Sequence, residues 1–68
     1  MRYDIRVRGR FDRALVTALG DITISTADHE TTLHCRVPDV AALVGILHAL
    51  TAQDLTVREV RTADSESG

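Results

Sequence analysis

The chain has 68 residues, 44% of them hydrophobic and 26% charged, with a formal net charge of -2 and a single cysteine. That composition belongs to globular rather than disordered chains, gives no global reason to expect nucleic acid, and leaves Cys35 without an internal disulfide partner. So short a chain makes one domain and buries only about 60% of the surface its unfolded form exposes, so its stability is expected to be modest or shared with a second subunit.

Tyr3, Ile5 and Val7 alternate with Asp4, Arg6 and Arg8, the period of a half-buried strand. Gly9 breaks the pattern. Asp12 is placed to cap a first helix over residues 13–19, with Phe11 before the cap packing on Val16, and Gly20 as its left-handed stop. The inward residues of that helix are expected to be Ala14, Leu15, Ala18 and Leu19. Ile22 and Ile24, then Leu33, Cys35 and Val37, alternate with polar residues on either side of a short polar tip, Ala27-Asp28-His29-Glu30, and two such runs read as an antiparallel hairpin. Pro38 ends the run and Asp39 caps a second helix, in which Val40, Leu43, Val44, Leu47 and Leu50 fall at helical spacing as a core stripe. Residues 52–54 turn into a fourth strand at Leu55, Thr56, Val57 and Arg58. The domain is expected to occupy residues 1–61, with residues 62–68 as a disordered polar tail.

Strand, helix, strand, strand, helix, strand is the order of a split βαβ duplication. It predicts an α+β, ferredoxin-like sandwich: an antiparallel sheet in the order 4-1-3-2, two helices on one face and the other face open. Projected onto that open face, the alternation gathers Asp4, Arg6, Arg8, Thr23, Ser25, Thr32, His34, Arg36, Thr56 and Arg58, a basic surface on an acidic protein. An anionic ligand on Arg6, Arg8, Arg36, Arg58 and His34 is one reading, and a solvated or interface face is the other. The outward positions carry no aromatic on which bases could stack, which argues against single-stranded RNA.

The second helix carries no formal charge between Asp39 and Asp54, and its outer side is expected to hold Ala41, Ala42, Gly45, His48 and Ala49. A surface helix normally shows charge outward, and Gly45 costs a helix interior about 1 kcal/mol relative to Ala. Both observations predict a covered face, with Ala41, Gly45, His48 and Ala49 at the contact. His34 and Cys35 are adjacent on a strand and point to opposite faces, so they cannot share an ion. No metal site is expected from them with His29 and His48, and no cofactor. Asp28 and Glu30 read as solvated turn residues, and Cys35 as a small buried hydrophobe without a base on its face. No catalytic set is recognised. No basic segment followed by an apolar run opens the chain, and residues 40–53 are too few to span a bilayer, so a reduced, cytoplasmic setting is expected.

The segments Tyr3-Asp-Ile-Arg-Val-Arg-Gly-Arg-Phe-Asp-Arg-Ala-Leu, Val37-Pro-Asp-Val-Ala-Ala-Leu-Val-Gly-Ile-Leu and Leu55-Thr-Val-Arg-Glu-Val together resemble the small stand-alone ACT-like proteins of actinobacteria, whose activity is mostly unassigned. The resemblance implies a regulatory module that dimerises side by side and takes a small effector near the first strand-to-helix loop. The resemblance implies that Gly9, Arg10 and Asp12 of that loop would hold the effector, since N–H groups at a helix start together with an arginine suit a carboxylate. The expectation is a non-catalytic homodimeric interaction or regulatory module. A sensor of a small anionic, amino-acid-like ligand is the alternative, and a dimeric α+β barrel enzyme is the weaker one.

Overall fold

The computed structural model describes residues 1–10, 12–28 and 30–63. Its elements are β1 (Arg2–Arg8), α1 (Arg13–Thr17), β2 (Asp21–Ala27), β3 (Glu30–Arg36), α2 (Val40–Ala52) and β4 (Thr56–Thr62). The four strands form one antiparallel sheet in the order β2-β3-β1-β4, which is the expected 4-1-3-2 order read from the other edge. With both helices contributing to one core, this is the ferredoxin-like α+β arrangement. Ile5, Val7, Ile22, Leu33 and Cys35 from the strands meet Val16, Leu43, Ile46 and Leu50 from the helices, closed off by Val37 and Leu55. No polar or charged residue is buried among the described residues.

Local chemistry sets the element ends. Asp12 and Asp39 are in extended conformation, and their side chains accept from the N–H groups of Ala14 and Ala42, each at 2.9 Å, capping α1 and α2. Thr17 and Thr51 donate their hydroxyls back to carbonyls one turn earlier, so each hydroxyl is satisfied by sharing acceptors of its own helix. The end of α2 is a Schellman turn. Asp54 sits at φ +65, its N–H donates to Thr51 O at 3.1 Å, and Leu55 N–H reaches Leu50 O at 3.2 Å. Both leucines are buried, supplying the apolar contact that accompanies this motif.

Several expectations about the elements and their packing are corrected. The first helix stops at Thr17, with Ala18 as its cap in ordinary helical conformation, and Gly20 takes φ +156 two residues further on. Val16 is its buried residue, and Leu19 is half-buried. Ala14, Leu15 and Ala18 are exposed, because a five-residue helix reaches the core through one face that Val16 already occupies. In α2 the core stripe is Leu43, Ile46 and Leu50, while Val40 and Val44 lie 54% and 44% exposed. A helix with no charge anywhere on it offers several apolar stripes of equal merit, so spacing does not fix its rotation. Ala42 accordingly packs against the core and Ala49 is half-buried, leaving Ala41, Gly45 and His48 outward. Glu30 belongs to β3, opposite Ala27, so the hairpin turn is shorter than the four-residue tip. Asp28 stands in it at φ +51. At the other end, β4 runs through Thr62, opposite Tyr3, and Ala63 N–H donates to Arg2 O at 2.8 Å. The contact expected between Phe11 and Val16, any role for His29 and the tail from residue 64 onward lie outside the described residues.

Candidate functional site

Cross-strand register builds two side-chain networks on the open face. Arg6 on β1 stands opposite Thr32 on β3 and Glu59 on β4. Its Nη1 donates to Glu59 Oε1 at 2.7 Å, and its Nη2 and Nε donate to Glu30 Oε1 at 2.5 and 3.2 Å. Arg61 adds a looser contact to Glu59, 3.7 Å from Oε2. The hydrogen bond to Glu30, then that to Glu59, raises the pKa of the Arg6 guanidinium above its ordinary value. In return Arg6, helped by the charges of Arg8 and Arg58 and opposed by desolvation, holds the Glu30 carboxyl below its usual range.

The second network lies two residues along the sheet. His34 on β3 stands opposite Asp4 on β1 and Thr23 on β2. Its Nδ1 is 2.9 Å from Asp4 Oδ1, and its Nε2 is 2.9 Å from Ser25 Oγ. A carboxylate only accepts, so the neutral ring carries its hydrogen on Nδ1 and leaves Nε2 to accept the Ser25 hydroxyl hydrogen. The result is a serine–imidazole–carboxylate row across three strands.

Next to His34 the face dips into a groove of about 450 Å³, lined by Arg2, Asp4, Asp21, Thr23, His34 and Arg36. In register, Arg36 faces Arg2 on one side and Asp21 on the other.

The open face is therefore less basic than alternation implied. Two local facts change its charge. Glu30, placed on β3, points the same way as His34, and a bulge between Arg6 and Val7 leaves Arg58 without a partner on β1. Beyond that bulge the phase of β4 is shifted, so Glu59 and Arg61 join the open face opposite Arg6 and Asp4. Arginines 2, 6, 8, 36 and 61 are then answered by Asp4, Asp21, Glu30 and Glu59. Nor do Arg6, Arg36 and His34 converge on one small anion. Arg36 faces Arg2, four residues from Arg6, a separation of about 13 Å along the strand.

The other expected positions are distributed as follows. Arg8 faces Thr56 at the far end of β1, close enough to Glu30 for its charge, like that of Arg58, to be felt there. In the first loop Gly9 adopts φ +123 and packs against the turn that leads into β4, where a Cβ would lie 3.2 Å from Leu55 Cδ2 and 3.4 Å from Asp54 O. Asp12 commits Oδ1 to its own helix, and Arg10 is exposed. Cys35 is buried, and that burial, with the charge of Asp4 adding, pushes its thiol up to about 11. It faces the core while its neighbour His34 faces outward, as strand alternation requires. On α2, Ala41, Gly45 and His48 share the outer side with Val40 and Val44, and a Cβ built on Gly45 meets nothing within 4 Å.

A family model described as Domain of unknown function (DUF8691) matches residues 2–61. The chain belongs to that family. No curated protein and no solved structure shows a significant match. The matched span of this DUF8691 domain runs from the first residue of β1 to within one residue of the end of β4, so it takes in both networks, α2 and all of the groove lining but Ala63. No helix among its described residues is long and apolar enough to cross a membrane. Sequence reasoning placed Asp4, Ser25 and His34 on one face without seeing that they touch, and it missed Glu30 and Glu59 as partners of Arg6. A two-residue turn would have fixed every β2–β3 pairing and so set Ser25 beside His34. Nothing in the chain marks the β1–β3 register or the bulge.

Proposed function

We propose that this DUF8691 domain is a homodimeric, ACT-like interaction or regulatory module, two copies pairing through the outer side of α2. The observation that carries this reading is the composition of that side. Val40 and Val44 are largely exposed, Ala41 and Gly45 lie between them, and the helix has no formal charge. A face without charge meets a second copy of itself without like-charge repulsion. The open space above Gly45 shows that its own fold does not require a glycine there, whereas a second backbone crossing at that point would. A chain of this size also gains more than a large one from covering apolar surface.

Gly45→Ala separates the two roles of that residue. Within one chain alanine is the better helix former by about 1 kcal/mol, so the variant monomer melts higher than the wild type. In the dimer the added methyl keeps the helices apart, so association measured by light scattering over a wide concentration range weakens. A wild type that remains monomeric up to millimolar concentration ends the proposal.

The groove beside His34 favours a second reading, a small ligand bearing both charges, amino-acid-like, with its carboxylate at Arg36 and its ammonium at Asp21 or Asp4. Thermal stabilisation by free amino acids that disappears in Arg36→Ala supports it, and equal melting with and without them ends it.

A further inference from the structure

We propose that Ser25 is a nucleophile toward small activated acyl esters, with His34 as its general base and Asp4 as the residue that positions the imidazole. Three parts of the geometry carry this. The serine and the ring nitrogen lie at hydrogen-bond distance, 2.9 Å, and the carboxylate holds the opposite nitrogen at the same distance. That arrangement selects the tautomer able to take the serine proton. All three side chains are open to solvent, with 44% of the His34 side chain and 36% of the Asp4 side chain accessible, so an ester can approach without any rearrangement. The groove lined by Thr23, Asp4 and His34 opens on the far side of the ring from Ser25, so the row stands at its margin and not inside it.

β2 also supplies a donor. It is an edge strand paired only with β3, so alternate N–H groups along it are free on the outer side. By that alternation, a free N–H belongs either to Ser25 itself or to both Ile24 and Thr26, pointing past the edge of the sheet, where a carbonyl held on Ser25 Oγ would have to lean to meet it. One such donor in place of a preorganised pair makes for slow turnover, since each missing oxyanion donor costs roughly 100- to 1000-fold in rate. The expected behaviour is single acylation followed by slow release.

In the step itself the bond from Ser25 Oγ to the ester carbonyl carbon forms, and the hydroxyl proton passes to His34 Nε2. The carbonyl-to-alkoxy bond then breaks, and the proton leaves with the alcohol. Water, activated by the same nitrogen, later releases the acid and restores the serine.

The test uses the full chain with p-nitrophenyl acetate, following p-nitrophenolate release and locating the acetyl group by peptide mass mapping. Acetylation at Ser25 is expected, at least about 100-fold slower in His34→Gln, in line with what a positioned general base contributes, and absent from that position in Ser25→Ala. Asp4→Ala is expected to lose most of the rate and Asp4→Glu to recover part of it, which a merely structural contact would not require. Circular dichroism melts confirm that each surface variant is folded. Acetyl found only on other groups, or Ser25 acetylated equally fast in folded His34→Gln, overturns the proposal.

Discussion

Val44→Glu tests the proposed pairing at a position where monomer and dimer give opposite answers. Val44 is 44% exposed and Val40 54% exposed, and complete burial of a valine is worth about 1.5–3 kcal/mol. Covering what remains open at Val44 therefore yields about 0.7–1.3 kcal/mol per copy, and at Val40 about 0.8–1.6 kcal/mol. Two copies together gain about 3–6 kcal/mol from these valines, against an association cost of at least about 4 kcal/mol. The valines alone leave at best about -2 kcal/mol, so close packing at Ala41 and Gly45 has to supply at least about 2 kcal/mol more to bring the dissociation constant to the millimolar range, and a weak dimer is expected. Val44→Glu removes about 2 kcal/mol from the pair, close to thirtyfold in dissociation constant, before any cost of bringing two carboxylates together. The monomer does not notice, because the site is solvent-exposed and glutamate is the better helix former. Sedimentation equilibrium on both proteins, with thermal melts at low concentration, reads the two effects separately. A variant that dimerises as well as wild type, or one that melts lower as a monomer, refutes the reasoning.

The remaining predictions concern the fold beneath these surfaces. Gly9→Ala forces a side chain into a left-handed conformation at φ +123 and against Leu55; it should cost about 2 kcal/mol, a fall in Tm of roughly 10 °C. Asp54→Gly relieves the same kind of strain at φ +65 and should raise Tm by a few degrees, corresponding to about 0.5–1 kcal/mol. Glu30 has a lowered pKa in the folded state. The stability it contributes is therefore present above the unfolded glutamate value of about 4.3 and is lost as pH falls through the folded value. Urea melts across that range should show a shallower acid loss in Glu30→Gln than in wild type, and parallel curves would remove the assignment. Cys35, buried with its thiol near 11, should react with a thiol reagent at neutral pH only through opening of the fold, at a rate that rises with denaturant.

The topology was legible because each element carries its own local mark. Asp12 and Asp39 announce the helix starts, alternation marks β1, β2 and β3, and Pro38 stops β3. What failed was phase, and in each case the deciding contact is distant in the chain. The rotation of α2 depends on which stripe fits the sheet, and with apolar residues nearly all round the helix the spacing admits Val44 as readily as Ile46. The face of Glu59 and Arg61 depends on a bulge at Arg58 that no glycine or turn residue signals. The triad of Asp4, Ser25 and His34 depends on the β1–β3 register, set by packing across a long connection and not by a turn. A sequence scan for serine, histidine and acid has no reason to choose these three, since His34 is one of three histidines and the spacing carries no motif.

These failures fall on the surfaces where the functional proposals lie, and the geometry keeps those surfaces apart. The outer side of α2 and the open face of the sheet lie on opposite sides of one core layer, so pairing through Val40, Val44 and Gly45 leaves both open faces in solvent. Acylation of Ser25 should then proceed at the same rate per chain on either side of the dimerisation midpoint, and Val44→Glu should leave it unchanged. A rate that follows dimer concentration would mean that the open faces, and not the helices, are what two copies bring together. The charge pattern argues against that arrangement, because stacking the sheets face to face would bury Arg6 with Glu30 and Glu59, and Asp4 with His34. The ion pairs of Arg6 and the hydrogen-bonded carboxylate of Asp4, now held in water, would then pay desolvation on both copies for little added apolar contact.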